Sequence, residues 1–176
     1  MRVISGELRG LRFDAPPGFA THPMGDRVRM ALFNKLGPIA GWEVLDPFAG
    51  SGALSFEAIS RGAASAIAIE RDKTAQKYLE RNITKLRLED RVQLIKGNNR
   101  SWSNIYPDQM FDLILCDPPY DDMKRTTLIQ LTRHLRPDGL MVLSQPASEE
   151  PVPIEGLRIT DTSKYANARL VFYRPS

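Results

Sequence analysis

The tetrapeptide Asp117-Pro118-Pro119-Tyr120 directly follows the apolar run Phe111-Asp112-Leu113-Ile114-Leu115-Cys116 and is the most specific motif in the chain. Consecutive prolines remove backbone donors and fix the chain direction. Carbonyls before and within such a turn are left free to accept from a ligand. Asp117 adds a carboxylate acceptor, and Tyr120 offers a flat face of the kind on which unstacked bases rest. The set suits a planar ring that carries an exocyclic NH2. The acceptors take its hydrogens and raise electron density on nitrogen, while the aromatic face fixes the ring plane. A rigid turn with a capping Asp would account for Pro-Pro alone, but poorly for an acid and an aromatic flanking it at a strand end.

A second candidate is Asp46-Pro47-Phe48-Ala49-Gly50-Ser51-Gly52, which closes the short apolar run Val44-Leu45. Two glycines spaced by one residue let the backbone turn sharply and approach a ligand closely. The dinucleotide fingerprint would need a third glycine at position 55, where this chain has Ser55. An acid at the strand end would also repel a pyrophosphate. It suits the ammonium group of an amino acid. Glu70 lies 18 residues after Gly52. A carboxylate there can accept from both hydroxyls of a ribose; the alternative is a surface acid paired with Arg71 or Lys73.

These candidates need a scaffold that brings strand ends together, and the hydrophobic pattern predicts one. Strands are expected at Val44-Leu45, Ala66 to Glu70, Val92 to Ile95, Phe111 to Cys116 and Leu140 to Ser144. Helices are expected over Ala53 to Ser60, Asp72 to Leu86 and Thr126 to Leu135, and a terminal antiparallel pair over Arg158 to Arg174. Strand–helix alternation predicts a parallel sheet covered on both faces, with ligands at the carboxyl ends of its strands. Ahead of this lies a prefix. Arg2 to Phe13 reads as a short hairpin closed by a Pro16-Pro17-Gly18 loop. A helix follows, with Asp26 as its N-cap, Val28, Leu32 and Leu36 at helical spacing, and Gly37-Pro38 as its stop.

The chain has 176 residues, 42% hydrophobic and 26% charged, which describes an ordinary globular protein and excludes disordered, collagenous and coiled-coil classes. Its longest apolar runs are far short of the ~20 residues that cross a bilayer. Charges near Met1 stand where a signal peptide requires an apolar core, and the single Cys116 cannot form an internal disulfide. A reducing cytoplasm is expected. The whole formal charge of +3 lies in residues 1–36, which hold six basic and three acidic groups. That is the footprint of a polyanion-binding extension, or else a solvated surface. His22 and His134 are far apart in sequence and no Cys/His cluster exists, so no metal is expected.

Asp-Pro-Pro-Tyr after the fourth strand, with Asp-x-Phe-x-Gly-x-Gly after the first, resembles the S-adenosylmethionine-dependent amino-methyltransferases. The prefix narrows this. Arg2 to Gly10, Pro16-Pro17-Gly18, and Asp26-Arg27-Val28-Arg29 before Ala31-Leu32-Phe33-Asn34 are similar to the RsmD-type 16S rRNA guanine-N2 methyltransferases. The resemblance runs from Met1 to about Leu143 and weakly through Tyr165 to Tyr173. It implies a doubly wound, mostly parallel, seven-stranded Rossmann-like α/β sheet over residues 38–176, preceded by an RNA-binding hairpin and helix over 1–37.

The resemblance also implies roles. Asp46, Phe48, Ala49, Gly50, Ser51 and Gly52 would hold the methionine half of S-adenosylmethionine, Glu70 and Arg71 its ribose region. Asp117, Pro118, Pro119 and Tyr120 would take the target amine, with Asp117 also facing the cofactor. Arg2, Arg9, Arg12, Arg27 and Arg29 would bind RNA. Three departures stand out: Asn98 and Asn99 occupy the place of the family's usual adenine-side Asp, Met24 that of a Thr, and Ala166 that of a Gly.

The implied product is S-adenosylhomocysteine, with no metal, and the partner is ribosomal RNA, free or in a partly assembled small subunit; a monomer without membrane attachment is expected. Adenine-N6 methylation of RNA or DNA is the rival enzyme reading, because adenine presents the same exocyclic group. DNA enzymes of that kind carry a recognition domain for which 176 residues leave no room. A non-catalytic RNA-binding assembly factor is the rival of another class; the intact Asp46, Gly50, Gly52, Glu70 and Asp117 argue against it.

Overall fold

In the computed structural model, which describes residues 1–17 and 24–176, seven strands form one sheet in the order β3-β2-β1-β4-β5-β7-β6. The strands are β1 (Glu43–Asp46), β2 (Ser65–Glu70), β3 (Val92–Lys96), β4 (Phe111–Cys116), β5 (Leu135–Pro146), β6 (Leu157–Lys164) and β7 (Ala168–Pro175). Pairs from β3 through β5 are parallel, and β7 runs antiparallel to both β5 and β6. The helices are α1 (Asp26–Leu36), α2 (Ala53–Ser60), α3 (Lys73–Lys85), α4 (Asn99–Ile105) and α5 (Arg125–Thr132). The expected doubly wound α/β sheet is what forms.

Alternation along each strand sends neighbouring side chains to opposite faces. Val44, Ala66, Ala68, Leu113, Leu115 and Val142 pack on one face with residues of α1, α2 and α3 and with Val3 and Phe13 of the prefix. Leu45, Ile67, Ile69, Ile114, Met141 and Leu143 pack on the other with Trp102 of α4 and Leu128 and Leu131 of α5. The prefix therefore shares a core with the sheet. Strand order reverses between β1 and β4, where Leu45 lies opposite Ile114. In open α/β sheets such a reversal is where ligands bind, at the carboxyl ends of the two strands.

The hairpin forms around a single antiparallel bridge between Arg2 and Arg12. Its tip presses on α2: a Cβ at Gly6, where φ is +86°, would sit 1.8 Å from the Ser60 carbonyl oxygen. The end of the Pro16-Pro17-Gly18 loop, His22 and Pro23 lie outside the described residues.

Several local expectations need correction. Gly25, not Asp26, is at the N-cap of α1, and Asp26 makes no cap bond because its carboxylate is drawn to Arg2 and Arg29. The buried face of α1 is Arg29, Leu32 and Phe33, with Val28 and Leu36 only partly covered. Helix α5 stops at Thr132, and Leu135 instead opens a β5 that starts earlier than Leu140. Helix α4 was not anticipated. It is capped by Asn98, whose side chain accepts from the Ser101 amide at 2.9 Å, and anchored by Trp102 against the His134 ring. His134 is itself buried, its ring nitrogens 2.7 Å from the Gln109 carbonyl and from the Ser103 hydroxyl.

Candidate active site

The loop after β1 is shaped by Gly50 and Gly52, at φ +54° and +94°. At Gly52 a Cβ would meet the Phe56 ring at 2.5 Å and Leu79 at 2.6 Å, so only glycine fits where the loop enters α2. Asp46 ends β1 fully buried beneath this loop. Its Oδ2 accepts from the Ser55 hydroxyl at 2.7 Å and the Ser55 amide at 3.2 Å, while Oδ1 has no partner among the described residues. Burial raises the Asp46 pKa to about 7, and the neighbouring carboxylates Asp117 and Glu70 add to the rise against the Ser55 bonds. A buried carboxylate with one unanswered oxygen is set to receive a cation.

Glu70 ends β2, buried, with Oε2 accepting from the Gly50 amide at 2.8 Å and Oε1 from the Asp72 amide at 2.7 Å. It does not pair with Arg71 or Lys73. The acid thus ties the glycine loop to the next strand end. Arg71 is exposed and pairs with Asp122, on the single helical turn Tyr120–Asp122 that follows the Pro-Pro corner.

Asp117 follows β4, the strand that pairs with β1. Burial raises its pKa to about 6, and the Ser144 hydroxyl and the Met24 backbone N–H limit that rise by hydrogen bonding. Tyr120 is partly exposed, with its hydroxyl 3.1 Å from Ser144 Oγ, so the ring is held at its hydroxyl end. The Pro119 carbonyl is taken by the Asp122 amide at 3.0 Å. Pro118 is left as the corner residue whose carbonyl has no backbone partner among the described residues.

The two asparagines after β3 differ. Asn98 is exposed and spends its oxygen on the α4 cap. Asn99 is buried, donates to the Pro47 carbonyl at 2.8 Å, and leaves its Oδ1 unpartnered among the described residues.

Relatives point the same way. Residues 1–174 match the family described as "Conserved hypothetical protein 95". The chain belongs to this family. It is 32% identical over 181 residues to "Putative rRNA methyltransferase YlbH" of Bacillus subtilis, covering 99% of this chain and 98% of that one. It is 35% identical over 140 residues to "Ribosomal RNA small subunit methyltransferase D" of Escherichia coli K12, covering 79% and 68%. The solved "Putative methyltransferase yhhF" of Escherichia coli superposes with a TM-score of 0.88 at 28% identity, over 100% of this chain and 98% of that one.

In this member of the family, the basic prefix is divided. Arg9, Arg12 and Arg27 are exposed, and none forms an ion pair among the described residues. Arg2 is exposed but paired with Asp26 at 3.2 Å. Arg29 contradicts its expected RNA contact: it is fully buried, because acceptors on Asp26, Arg2, Met24 and the nearby Glu57 carboxylate surround it.

Residues that sequence reasoning missed hold the prefix to the site. Asn82 of α3 exchanges hydrogen bonds with the Asp14 backbone and donates to the Ser51 carbonyl at 3.0 Å. Glu57 of α2 accepts from the Ile4 and Ser5 amides at 2.8 and 3.1 Å. For Glu57 the available signal was a charged residue in an otherwise apolar helix, which must find a partner; Asn82, in the polar helix α3, carried no such signal.

Proposed function

We propose that the chain methylates the N2 exocyclic amine of a guanine in small-subunit ribosomal RNA, using S-adenosylmethionine. One observation carries this reading: a buried carboxylate with an open oxygen, and an Asp-Pro-Pro-Tyr corner, end the adjacent strands β1 and β4 at the reversal point of the sheet. The names carried by the relatives support the reaction and the substrate class.

The residues present fit the cofactor. Asp46 Oδ1 would take its ammonium, the loop from Phe48 to Gly52 would line its methionine half, and Glu70 retains lone pairs for ribose hydroxyls. Asn98 and Asn99 would both stand at the adenine side; the Asn98 oxygen already accepts from Ser101, and Asn99 Oδ1 is open among the described residues. S-adenosylmethionine supplies a methyl group activated by its sulfonium and leaves as S-adenosylhomocysteine.

The chain's own work is alignment. Guanine N2 is a weak nucleophile because its lone pair is delocalised into the ring. Asp117 and the Pro118 carbonyl accept its two hydrogens, turn the lone pair toward the crevice, and stabilise positive charge as it develops on nitrogen. With a pKa of about 6, Asp117 is ionised at neutral pH and can receive the proton that nitrogen gives up. Tyr120 stacks the base, which must leave its helix to arrive. Arg9, Arg12 and Arg27 hold phosphates without reading sequence.

We place the protein in the cytoplasm as a monomer, acting on RNA free or within a partly assembled subunit. Among the described residues no helix is long and apolar enough to cross a membrane. Incubation with methyl-labelled cofactor and either naked 16S rRNA or small-subunit particles tests the reading. Label should enter RNA with the wild-type chain and not with Asp117→Ala; no label with either substrate would refute it.

A further inference from the structure

We propose that α3 presents a second phosphate-binding surface, which continues the RNA track of the prefix toward the strand end at Glu70. The inference deepens the reading of RNA as the substrate and rests on it. Lys73, Lys77, Arg81 and Lys85 recur at every fourth position of α3, and all four are exposed. Side chains four apart are neighbours along one side of a helix. Ala75, Leu79, Asn82 and Ile83 form the buried side. At a rise of 1.5 Å per residue, the basic stripe is about 18 Å long. Its lower end joins the prefix: Lys85 pairs with Asp14 at 3.1 Å, and Asn82 exchanges hydrogen bonds with the Asp14 backbone. Exposed Arg12 lies two residues before that junction, and Lys73 lies three residues after Glu70.

Helix stability does not account for this arrangement. Like charges four apart repel, and the stripe stacks three such pairs in a row. Lys73 stands in the first turn, where the helix dipole disfavours a cation, and no acid shares that turn. A face that served solvation alone would gain by setting Glu four residues before Lys. The two acids nearest the stripe are engaged elsewhere. Asp72 caps the helix by accepting from the Ala75 amide at 2.8 Å, and Glu80 pairs with Lys96 at 2.8 Å. Lys73, Lys77 and Arg81 form no ion pair among the described residues. Successive members of the stripe rise by about 6 Å, a step comparable to the separation of neighbouring phosphates on one strand. An aromatic borders it as well: Tyr78 is partly exposed, with the Arg81 guanidinium 5.9 Å from its ring centroid. Cations in a row beside an aromatic ring match the backbone and bases of a single strand. A polyanion laid along α3 supplies the counter-charges that the fold leaves out.

Two triple variants of the whole chain test this. Lys73→Gln/Lys77→Gln/Arg81→Gln empties the stripe and leaves Lys85 on Asp14. Arg133→Gln/Arg158→Gln/Lys164→Gln removes the same charge from exposed positions at the end of α5 and on β6. Binding to naked 16S rRNA and to small-subunit particles is measured over a salt series, beside cofactor affinity by calorimetry and folding by thermal melting. The stripe variant should bind naked RNA roughly tenfold more weakly, with its logarithmic salt dependence flattened by about two units. Its cofactor affinity should be unchanged, and it should melt no lower than wild type because the like-charge pairs are gone. The control variant should keep the wild-type salt dependence. An unaltered salt dependence of the stripe variant on naked RNA would overturn the inference. So would equal flattening in both variants, which marks net charge rather than place. A loss confined to particles would assign the face to a protein partner and overturn it too. Methyl transfer by the wild type to neither substrate would instead remove the reading of RNA as substrate, whatever the stripe does.

Discussion

Glu70 Oε2 holds the Gly50 amide at 2.8 Å, so the acid at the end of β2 also sets the shape of the loop at the end of β1. The proposed cofactor recognition by the two strand ends would therefore be mechanically coupled.

Glu70→Ala should accordingly lose more than a ribose contact. Removing charge-assisted bonds to Gly50 and Asp72 frees the loop as well as the ligand hydroxyls. Cofactor affinity should drop at least roughly tenfold by calorimetry. Glu70→Gln, which keeps one acceptor oxygen, should fall between that variant and wild type. An unchanged affinity in Glu70→Ala would exclude the assignment.

In the proposed reading, Asp46 gives up stability for binding. Its folded pKa of about 7 lies above the unfolded value, so the folded state favours its protonated form. The resulting stability is fully present below about pH 4 and is lost as pH rises through about 7. Asp46→Asn should therefore stabilise the ligand-free protein at pH 8 by about 1 kcal/mol or more, seen as a higher melting temperature. The same variant should bind the cofactor more weakly. Wild-type affinity should rise with pH toward about 7 and 8, with proton release seen as buffer-dependent heat; a flat profile would contradict the role.

Asp117 predicts the pH profile of the reaction. It must be ionised to accept the amine hydrogens, and its pKa is about 6. Single-turnover rates should fall below about pH 6 with a slope of one. Asp117→Asn should lower the rate about a hundredfold and flatten that limb, with little change in cofactor affinity.

Charge reversal separates the prefix arginines. Arg9→Glu/Arg12→Glu/Arg27→Glu should weaken RNA binding and flatten its logarithmic salt dependence by roughly two units, leaving cofactor affinity intact. Arg29→Glu should instead unfold the protein, costing about 3–5 kcal/mol through an unpaired buried charge beside Glu57. Filter binding over a salt series, with melting curves, distinguishes these outcomes.

Much of the scaffold was legible because its signals are local. The β4 strand at Phe111–Cys116 and the α2 helix at Ala53–Ser60 form where their apolar patterns and bounding turns predict. Helix α4 was not legible: Asn99 to Ile105 offers only Trp102 and Ile105 as apolar residues, and what holds Trp102 is the distant His134 ring. Leu135 satisfies a helical spacing from Leu131 as well as a strand pattern, and pairing with Phe111 decides for the strand. At the site, Asp46, Glu70 and Asp117 were marked by their places at strand ends. Arg29 was misread for a different reason. Its fate is set by Glu57, a residue no nearer in sequence than the next helix.

The identity of the modified nucleoside tests the account most directly. Small-subunit particles or 16S rRNA that lack the modification would be treated with the protein and cofactor, digested with nuclease, and resolved by mass spectrometry. The account predicts N2-methylguanosine at one position with wild type and none with Asp117→Ala. N6-methyladenosine, or a methyl group retained after Asp117→Ala, would contradict it.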